Sequence, residues 1–167
     1  ENIPLSIISD KTSYIKLFTG PDFLIGDVRK IILTEKIYVQ NFQKLLVFNS
    51  DGSPCFAINN QGKSGQEYYE INDFTIDTLN NTLEIWDRVK RTMLIYNNNS
   101  GEFIKSLKID IDARYFKKLN NYYFFYSDAA YSDYNTKSNR IFCVKQNGII
   151  ENEFLSSNCV KLYSFNT

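Results

Sequence analysis

The sequence has no histidine and only three prolines, one tryptophan and one methionine among its 167 residues. Without histidine the chain cannot form a Ser-His-Asp or Cys-His triad, a histidine-bound zinc site or the usual proton shuttle near neutral pH. No apolar run approaches the ~20 residues of a membrane-spanning helix. The 19 basic and 19 acidic side chains cancel, whereas nucleic-acid binders concentrate basic charge on one surface. The composition therefore predicts neither a transmembrane chain nor a nucleic-acid binder.

Alanine and cysteine are scarce as well. Four alanines stand against 13 phenylalanines, 12 tyrosines and many Ile, Val and Thr residues. Because alanine favours helices while β-branched and aromatic residues favour strands, this balance predicts an all-β chain. The three cysteines, Cys55, Cys143 and Cys159, lack the spacing of a metal site. We interpret them as small buried apolar residues, with a single disulfide and one free thiol as the alternative. No metal or other cofactor is predicted.

The most informative pattern in the sequence is a repeat. Three times an apolar run ends in a polar turn with glycine, at Gly52, Gly101 and Gly148. The first two glycines are 49 residues apart and the last two are 47 apart. Each turn predicts a hairpin, because glycine accepts a positive φ without steric cost. Two further strand-like segments precede each hairpin, joined by Asn80-Asn81 in the second unit and Asn120-Asn121 in the third.

Each unit is therefore a meander of four short strands, which is typical of a β-propeller blade. A β-sandwich also contains many short strands but requires no internal period, so we favour the propeller. The predicted blade units cover about 24–58, 72–109 and 114–155, with single unpartnered strands at about 13–18 and 159–165. Three units do not close a ring of four to eight blades. We expect the chain to be a segment of a larger ring, completed by further blades or by a second copy.

The loop between the first two units resembles that of a known family. It reads Gly62-Lys63-Ser64-Gly65-Gln66-Glu67-Tyr68, and Asp73-Phe74-Thr75-Ile76-Asp77 opens the next unit. The chain resembles the NHL-like six-bladed β-propeller proteins that Gram-negative gut anaerobes export as lipoproteins. In that family a glycine-rich loop ending in Glu-Tyr or Glu-Phe links consecutive blades. The resemblance covers roughly residues 14–126, and it departs from the family pattern in the middle of the loop, where further glycine and a proline are usual.

The resemblance has consequences for fold, location and function. It implies that the chain is the N-terminal half of a six-bladed ring. It also implies export to the cell envelope, in the periplasm or on the outer-membrane surface, with a lipid anchor through a removed N-terminus. The family carries no agreed catalytic residues, so the resemblance implies a binding or scaffolding role.

The same loop is also a candidate phosphate cradle by composition. It lacks the Walker pattern, however, and no predicted helix follows it to supply a dipole. We interpret Gly62, Gly65, Glu67 and Tyr68 as a structural turn between blades, in which Glu67 accepts backbone hydrogen bonds.

Acidic residues gather at two places along the chain. They are Asp73, Asp77, Glu84 and Asp87, followed by Asp110 and Asp112. Paired carboxylates serve acid–base catalysis in glycosidases, and carboxylate oxygens suit calcium. Polar residues at strand ends are normally solvated, and the spacing of a calcium-binding loop is absent. We interpret these residues as solvated strand ends, with catalysis and calcium binding as the alternatives.

Connections between the second and third strands of each unit are the best candidates for a ligand site. In the third unit this connection, at about 128–140, is longer than its two counterparts and contains tyrosines. Loops on a rigid scaffold commonly bind ligands, and a tyrosine offers a flat face and a hydroxyl to a sugar ring or peptide. The predicted ligand-binding residues are Tyr131, Asp133, Tyr134, Arg88 and Arg91. These residues predict a surface that binds an acidic glycan or an acidic protein segment; the alternative is a solvated loop without a ligand.

The sequence as a whole favours a non-enzymatic binding or scaffolding module with a glycan or protein partner. The alternative is a metal-dependent lactonase-like or lyase-like propeller, whose metal would be held by Asp, Glu and Asn because histidine is absent. A third hypothesis is a structural subunit whose ring is completed by a second copy.

Overall fold

The computed structural model describes residues 13–41, 43–127 and 139–156, and its regular structure is entirely β-strand. The strands are β1 (Lys30–Leu33), β2 (Lys36–Gln40), β3 (Leu45–Asn49), β4 (Pro54–Ile58), β5 (Asp73–Asp77), β6 (Thr82–Asp87), β7 (Thr92–Asn97), β8 (Phe103–Lys108), β9 (Tyr115–Leu119), β10 (Tyr122–Tyr126), β11 (Asn139–Lys145) and β12 (Ile150–Ser156). Consecutive strands pair antiparallel into three four-stranded sheets, β1–β4, β5–β8 and β9–β12. The predicted all-β architecture of four-stranded meanders is thereby confirmed. Within these ranges, no helix has the length and apolar character to cross a membrane.

The chain divides into two compact structural units, which differ from the three repeat units of the sequence. The first comprises Glu1–Asn41 and Leu45–Ala57, and the second comprises Phe42–Lys44 and Ile58–Thr167. The first unit therefore holds nearly all of the first sheet, and the second unit holds the other two sheets.

One buried cluster of the first unit lies on one face of its sheet, although both faces of β2 and β3 are buried. Ile37 and Val39 alternate along β2, while Leu46 and Phe48 alternate along β3, and these four side chains form a buried cluster. Alternate residues of a strand point to the same face, so the apolar periodicity of both strands produces this cluster directly. Phe23, ahead of β1, packs its ring edge-on against Phe48 at 5.3 Å between centroids.

The strand predicted at residues 13–18 is wrong, because these residues form no strand in the structure. They run against the β3–β4 turn instead of along a strand edge. Phe18 N–H donates to the carbonyl of Gly52 at 2.9 Å. Gly52 has a φ of +85°, and a Cβ on it would lie 2.2 Å from the carbonyl oxygen of Lys16. A turn presents no regular row of N–H and C=O groups, so an apolar segment beside it has no ladder to join.

One buried cluster of the second unit is shared by its two sheets. Trp86, Met93 and Ile95 of the second sheet pack in one cluster with Phe116, Tyr123, Phe125 and Val144 of the third. The β8–β9 connection contributes Ile109, Ile111 and Ala113 to the same cluster.

Directed contacts add to this apolar packing. Trp86 Nε1–H donates to the carbonyl of Ala113 at 2.7 Å, and its ring meets Phe125 edge-on at 4.7 Å. Asp73, at the start of β5, accepts the Phe116 N–H of β9 at 3.0 Å. The first strands of the two sheets are therefore tied together by a hydrogen bond as well as by packing.

The predicted tight turns form where asparagine pairs occur. Asn81 and Asn120 both adopt a φ of +52°, a conformation that asparagine tolerates better than most residues.

The third sheet differs from expectation at one boundary. β11 begins at Asn139, which pairs with Ser156 of β12, so Asn139 and Arg140 belong to a strand and not to the predicted long loop. The rest of that loop, and the strand predicted at 159–165, lie outside the described residues.

Candidate functional site

The β6–β7 turn and the loop ahead of β5 are hydrogen-bonded to each other. Lys90 Nζ in the turn donates to the loop carbonyls of Ser64 at 2.8 Å and Glu67 at 2.7 Å. Asp87, buried at the end of β6, accepts the N–H groups of Tyr69 at 2.6 Å and Lys90 at 2.9 Å. The two segments that the sequence marked separately, one glycine-containing and one basic, therefore form a single site.

The loop is also closed by its own carboxylate. Glu67 Oε2 accepts the N–H of Ser64 at 2.7 Å, and hydrogen bonds from Ser64 and Lys63 hold the pKa of Glu67 below its usual value. A Cβ on Gly62 would lie 2.2 Å from the same oxygen, whereas a Cβ on Gly65 would meet open space. Since an ionised side chain already occupies these donors, the loop backbone is not an empty phosphate cradle.

Tyr68 anchors the end of the loop. Its hydroxyl donates to the carbonyl of Gln43, its side chain is fully buried, and this burial raises its pKa. Its backbone pairs with Gly62 at 2.9 Å and with Asn60 at 3.1 Å. Tyr68 therefore holds the two ends of the loop together, and its side chain offers no exposed surface to a ligand.

The predicted ligand-binding arginines are paired with carboxylates of the β8–β9 connection. Arg88 Nε donates to Asp112 and Arg91 Nη1 donates to Asp110. The hydrogen bond from Arg88 outweighs partial burial and lowers the pKa of Asp112. Both pairs are at the surface, where an ion pair is worth about 0–1 kcal/mol. The charges of the two arginines are therefore neutralised by those of Asp110 and Asp112.

A cavity of about 300 Å³ lies between the loop, the turn and strands β7 and β8. We call it the lysine cavity; it is lined by Lys63, Ser64, Gly65, Glu67, Val89, Lys90, Thr92, Ser106 and Lys108. Its charge comes from three ammonium groups and the single carboxylate of Glu67, which is held by the loop. Lys108 Nζ donates to the carbonyl of Lys90, so two of the three lysines are fixed by main-chain acceptors. The cavity is locally positive in a chain whose net charge is zero.

A family model described as DUF5128, 6-bladed beta-propeller, matches residues 1–166. The chain belongs to this 6-bladed β-propeller family. Each of its three sheets is accordingly a blade.

Two solved structures have similar folds. One is a Bacteroides fragilis protein described as a "Putative exported protein", with a TM-score of 0.75 and 20% identity over 87% of this chain and 42% of that chain. The other is the Pan2 WD40 domain of Neurospora crassa, with a TM-score of 0.51 and 12% identity over 76% of this chain and 35% of that chain. At such identities the likeness concerns the fold alone, and the chain spans less than half of either protein. No curated protein matches the sequence.

A second cavity of the propeller segment is larger but chemically poorer. It measures about 390 Å³ and is lined by Asn121, Tyr122, Lys145, Gln146 and Asn147, at the turns of the third blade. Lys145, its one cation, is paired with Glu151 at 2.9 Å. We favour the lysine cavity as the functional site because charged groups converge there and volume alone does not identify a site.

The interpretation of the second-blade carboxylates as solvated strand ends is wrong, because Asp73, Glu84 and Asp87 are buried and the Asp77 side chain is only 9% exposed. Asp73 binds backbone N–H groups, and Asp87 holds the loop and the turn. Asp77 Oδ2 and Glu84 Oε1 each lie 2.6 Å from Lys118 Nζ of the third blade. No group of three or more Asp, Glu or Cys residues placed to hold a metal occurs in the described ranges. Cys55 and Cys143 are free thiols, and Cys143 is buried.

Sequence reasoning identified part of this site and missed part. The sequence indicates the Gly62–Tyr68 loop and the basic turn of Arg88, Lys90 and Arg91, whereas Lys63 and Lys108 are not predicted as ligand-binding residues. The opposition of Thr92 and Lys108 across the β7–β8 hairpin follows from the turn at Gly101, so that signal was available. The approach of the loop to Lys90 had no local signal. Tyr131, Asp133 and Tyr134 lie outside the described residues.

Proposed function

We propose that this propeller segment belongs to a non-enzymatic binding module that is exported and lipid-anchored at the cell envelope. It binds a glycan or a partner protein through the face that holds the lysine cavity. The predicted residues Tyr131, Asp133 and Tyr134, which lie outside the described residues, contribute to the same binding. Further blades or a second copy complete the ring.

The observation that carries this proposal is the built connection between the glycine-containing loop and the basic turn. The hydrogen bonds of Lys90 and Asp87 hold the glycine-containing loop and the basic turn together beside the lysine cavity. A rigid scaffold that positions polar loops is the usual arrangement of a binding site. Export is supported by the likeness to the Bacteroides fragilis protein described as exported.

The proposal is tested by biolayer interferometry with heparin, polygalacturonate, poly-L-glutamate and neutral dextran as probes. We expect at least one acidic probe to bind and dextran to bind much more weakly. Tyr131→Ala with Tyr134→Ala should weaken that binding at least tenfold without lowering the melting temperature. Tyr14→Ala, a change at a tyrosine that is 92% exposed in the other unit, is the matched control and should bind normally. Equal binding by all variants would remove the assigned face, and no binding to any probe would contradict the module.

A further inference from the structure

We infer that the lysine cavity binds the tetrahedral oxyanion of a sulfated or phosphorylated sugar. The inference rests on the proposed function and names the ligand group for which this cavity is suited. It concerns three lysines, Lys63, Lys90 and Lys108, that line one cavity beside a single carboxylate.

Lys90 and Lys108 are held in place by hydrogen bonds and still keep N–H donors for a ligand. Lys90 Nζ donates to two main-chain carbonyls, and Lys108 Nζ donates to one. An ammonium group has three N–H donors, so these bonds leave one donor on Lys90 and two on Lys108. The Lys63 main chain donates to Glu67, whereas its ammonium group makes no hydrogen bond or ion pair within the described ranges of the chain. The carbonyl contacts fix the ammonium groups without cancelling their charge, since a carbonyl is a neutral acceptor.

The acidic residue of the cavity cancels only part of this charge, because one carboxylate, which interacts electrostatically with Lys90, stands against three ammonium groups. The Glu67 carboxylate is turned into its own loop, where Ser64 N–H donates to it at 2.7 Å. The nearby carboxylates Asp110 and Asp112 are paired with Arg91 and Arg88. An anion entering the cavity would therefore meet three ammonium groups against the one carboxylate of Glu67, which is already hydrogen-bonded to its own loop.

The residue types favour a tetrahedral oxyanion over a carboxylate. A planar carboxylate is matched best by the two-pronged guanidinium of arginine, whereas lysine acts as a compact point charge that can approach from any side. The lining adds the hydroxyl groups of Ser64, Thr92 and Ser106, which can donate to further oxygens. Several separate donors around a point suit the several oxygens of a sulfate or phosphate ester.

The lining also favours a sugar over a peptide. Peptide recognition relies on apolar and aromatic anchors buried in pockets, and Val89 is the only apolar side chain that lines this cavity. A volume of about 300 Å³ is at the small end of ligand sites and accommodates one substituted sugar ring. A sulfated or phosphorylated sugar therefore fits the polar lining better than an acidic peptide segment does.

The test measures the dissociation constants of glucose 6-sulfate, glucose 6-phosphate, glucuronate and glucose for the full chain, at constant ionic strength. We expect binding of at least one of the two esters, weaker binding of glucuronate and none of glucose. Lys63→Gln and Lys108→Gln should each weaken ester binding about tenfold, as expected for a hydrogen bond to a charged group. The control is Lys105→Gln, because Lys105 is an exposed lysine on the opposite face of β8 from Lys108; it should bind as the wild type does. Preference for one ester would decide between sulfate and phosphate.

Four results would overturn the inference. Equal weakening by Lys105→Gln would mean that general charge attracts the esters. A sulfotyrosine peptide that binds tighter than both sugar esters would identify a protein partner. Absence of ester binding, while a polysaccharide still binds in a manner that depends on Tyr131 and Tyr134, would remove the oxyanion site and leave the binding module standing. Absence of both would overturn the two proposals together.

Discussion

Replacing Lys118 with methionine should destabilise the fold by about 3 kcal/mol. Lys118 on β9 joins the third blade to the second through Asp77 and Glu84, with 2.6 Å to each carboxylate. The side chains are only 9%, 9% and 2% exposed, in the order Lys118, Asp77 and Glu84. Removing the ammonium group leaves two neighbouring carboxylates with little access to solvent, of which Asp77 keeps its hydrogen bonds from Leu79 and Asn80 and Glu84 loses its ion pair.

The magnitude follows from the cost of an uncompensated buried charge. Breaking a buried ion pair by removing one partner costs about 3–5 kcal/mol. The lower end applies, because the cluster keeps some contact with solvent and methionine recovers apolar packing against the Tyr123 ring, whose centroid lies 5.4 Å from Lys118 Nζ. For a chain of this size, ~3 kcal/mol corresponds to a fall in melting temperature of about 6–12 °C.

The assay is urea unfolding at pH 7, and Lys117→Met is the matched control. Lys117 is the preceding residue on the same strand, and it is exposed on the opposite face, so its replacement should cost less than about 0.5 kcal/mol. Adding Glu84→Gln to Lys118→Met should restore part of the lost stability, because one of the two unpaired charges is then removed. Equal losses in the two single variants, or no recovery in the double variant, would refute the role of the cluster.

The same cluster predicts how stability depends on pH. Burial alone would raise the pKa of Asp77, but hydrogen bonds from Asn80 and Lys118 outweigh it and bring the pKa down to about 2, from about 4 in an unfolded chain. Because the folded state holds the ionised form more tightly, this contribution is complete above about pH 4 and is lost as the pH falls toward 2. Burial lowers the pKa of Lys118, but the hydrogen bonds and charges of Asp77 and Glu84 outweigh burial and raise it. The contribution of Lys118 to stability is therefore present at neutral pH and is lost only at strongly alkaline pH. Asp77→Asn should flatten the acid limb of the stability curve, and an unchanged limb would contradict this assignment.

Two glycine comparisons test the turns and the loop. Gly52→Ala should lower the free energy of unfolding by at least about 2 kcal/mol, because it combines a left-handed φ with a Cβ 2.2 Å from the carbonyl oxygen of Lys16. Gly26→Ala has a φ of +60° in open space and should lower it by about 1 kcal/mol. Equal losses of stability in thermal unfolding would refute the steric contribution at Gly52. Gly62→Ala should push the loop carboxylate off its Ser64 contact and weaken ester binding. Gly26→Ala, which lies in the other unit and outside the cavity lining, should leave binding unchanged; identical dissociation constants would show that the loop does not shape the cavity.

Most of the fold was predictable because its rules are local. Glycine turns and asparagine pairs fix several of the hairpins, and alternation along β2 and β3 then decides which side chains share a face. The failure at residues 13–18 had a different origin. The apolar pattern there was real, since Leu17 packs against the core, but strand formation needs a partner edge, and what lies beside the segment is a turn. Burial and strand pairing are separate requirements, and a sequence pattern reports only the first.

The candidate site was predictable to the extent that it lies within hairpins. Arg88 and Arg91 are in a turn that the repeat locates, but their pairing with Asp112 and Asp110 depends on where the chain runs after β8. Lys118 lies between Asp77 and Glu84 only because the third blade packs on the second. Contacts between blades join residues far apart in sequence, and no local periodicity specifies which charges will meet.

The zero net charge of the chain hides an uneven distribution of charge over the second unit. Arg88 and Arg91 are cancelled by surface carboxylates, the Lys118 cluster holds one carboxylate in excess, and the lysine cavity holds ammonium groups in excess. A nucleic acid needs a continuous basic track that neutralises several phosphates, and the pairing of both arginines interrupts any such track at the rim of this cavity. A single oxyanion needs only a few fixed donors at one point. The neutral composition therefore argues against a polyanionic nucleic-acid partner for this face while remaining compatible with a site for one sulfate or phosphate ester.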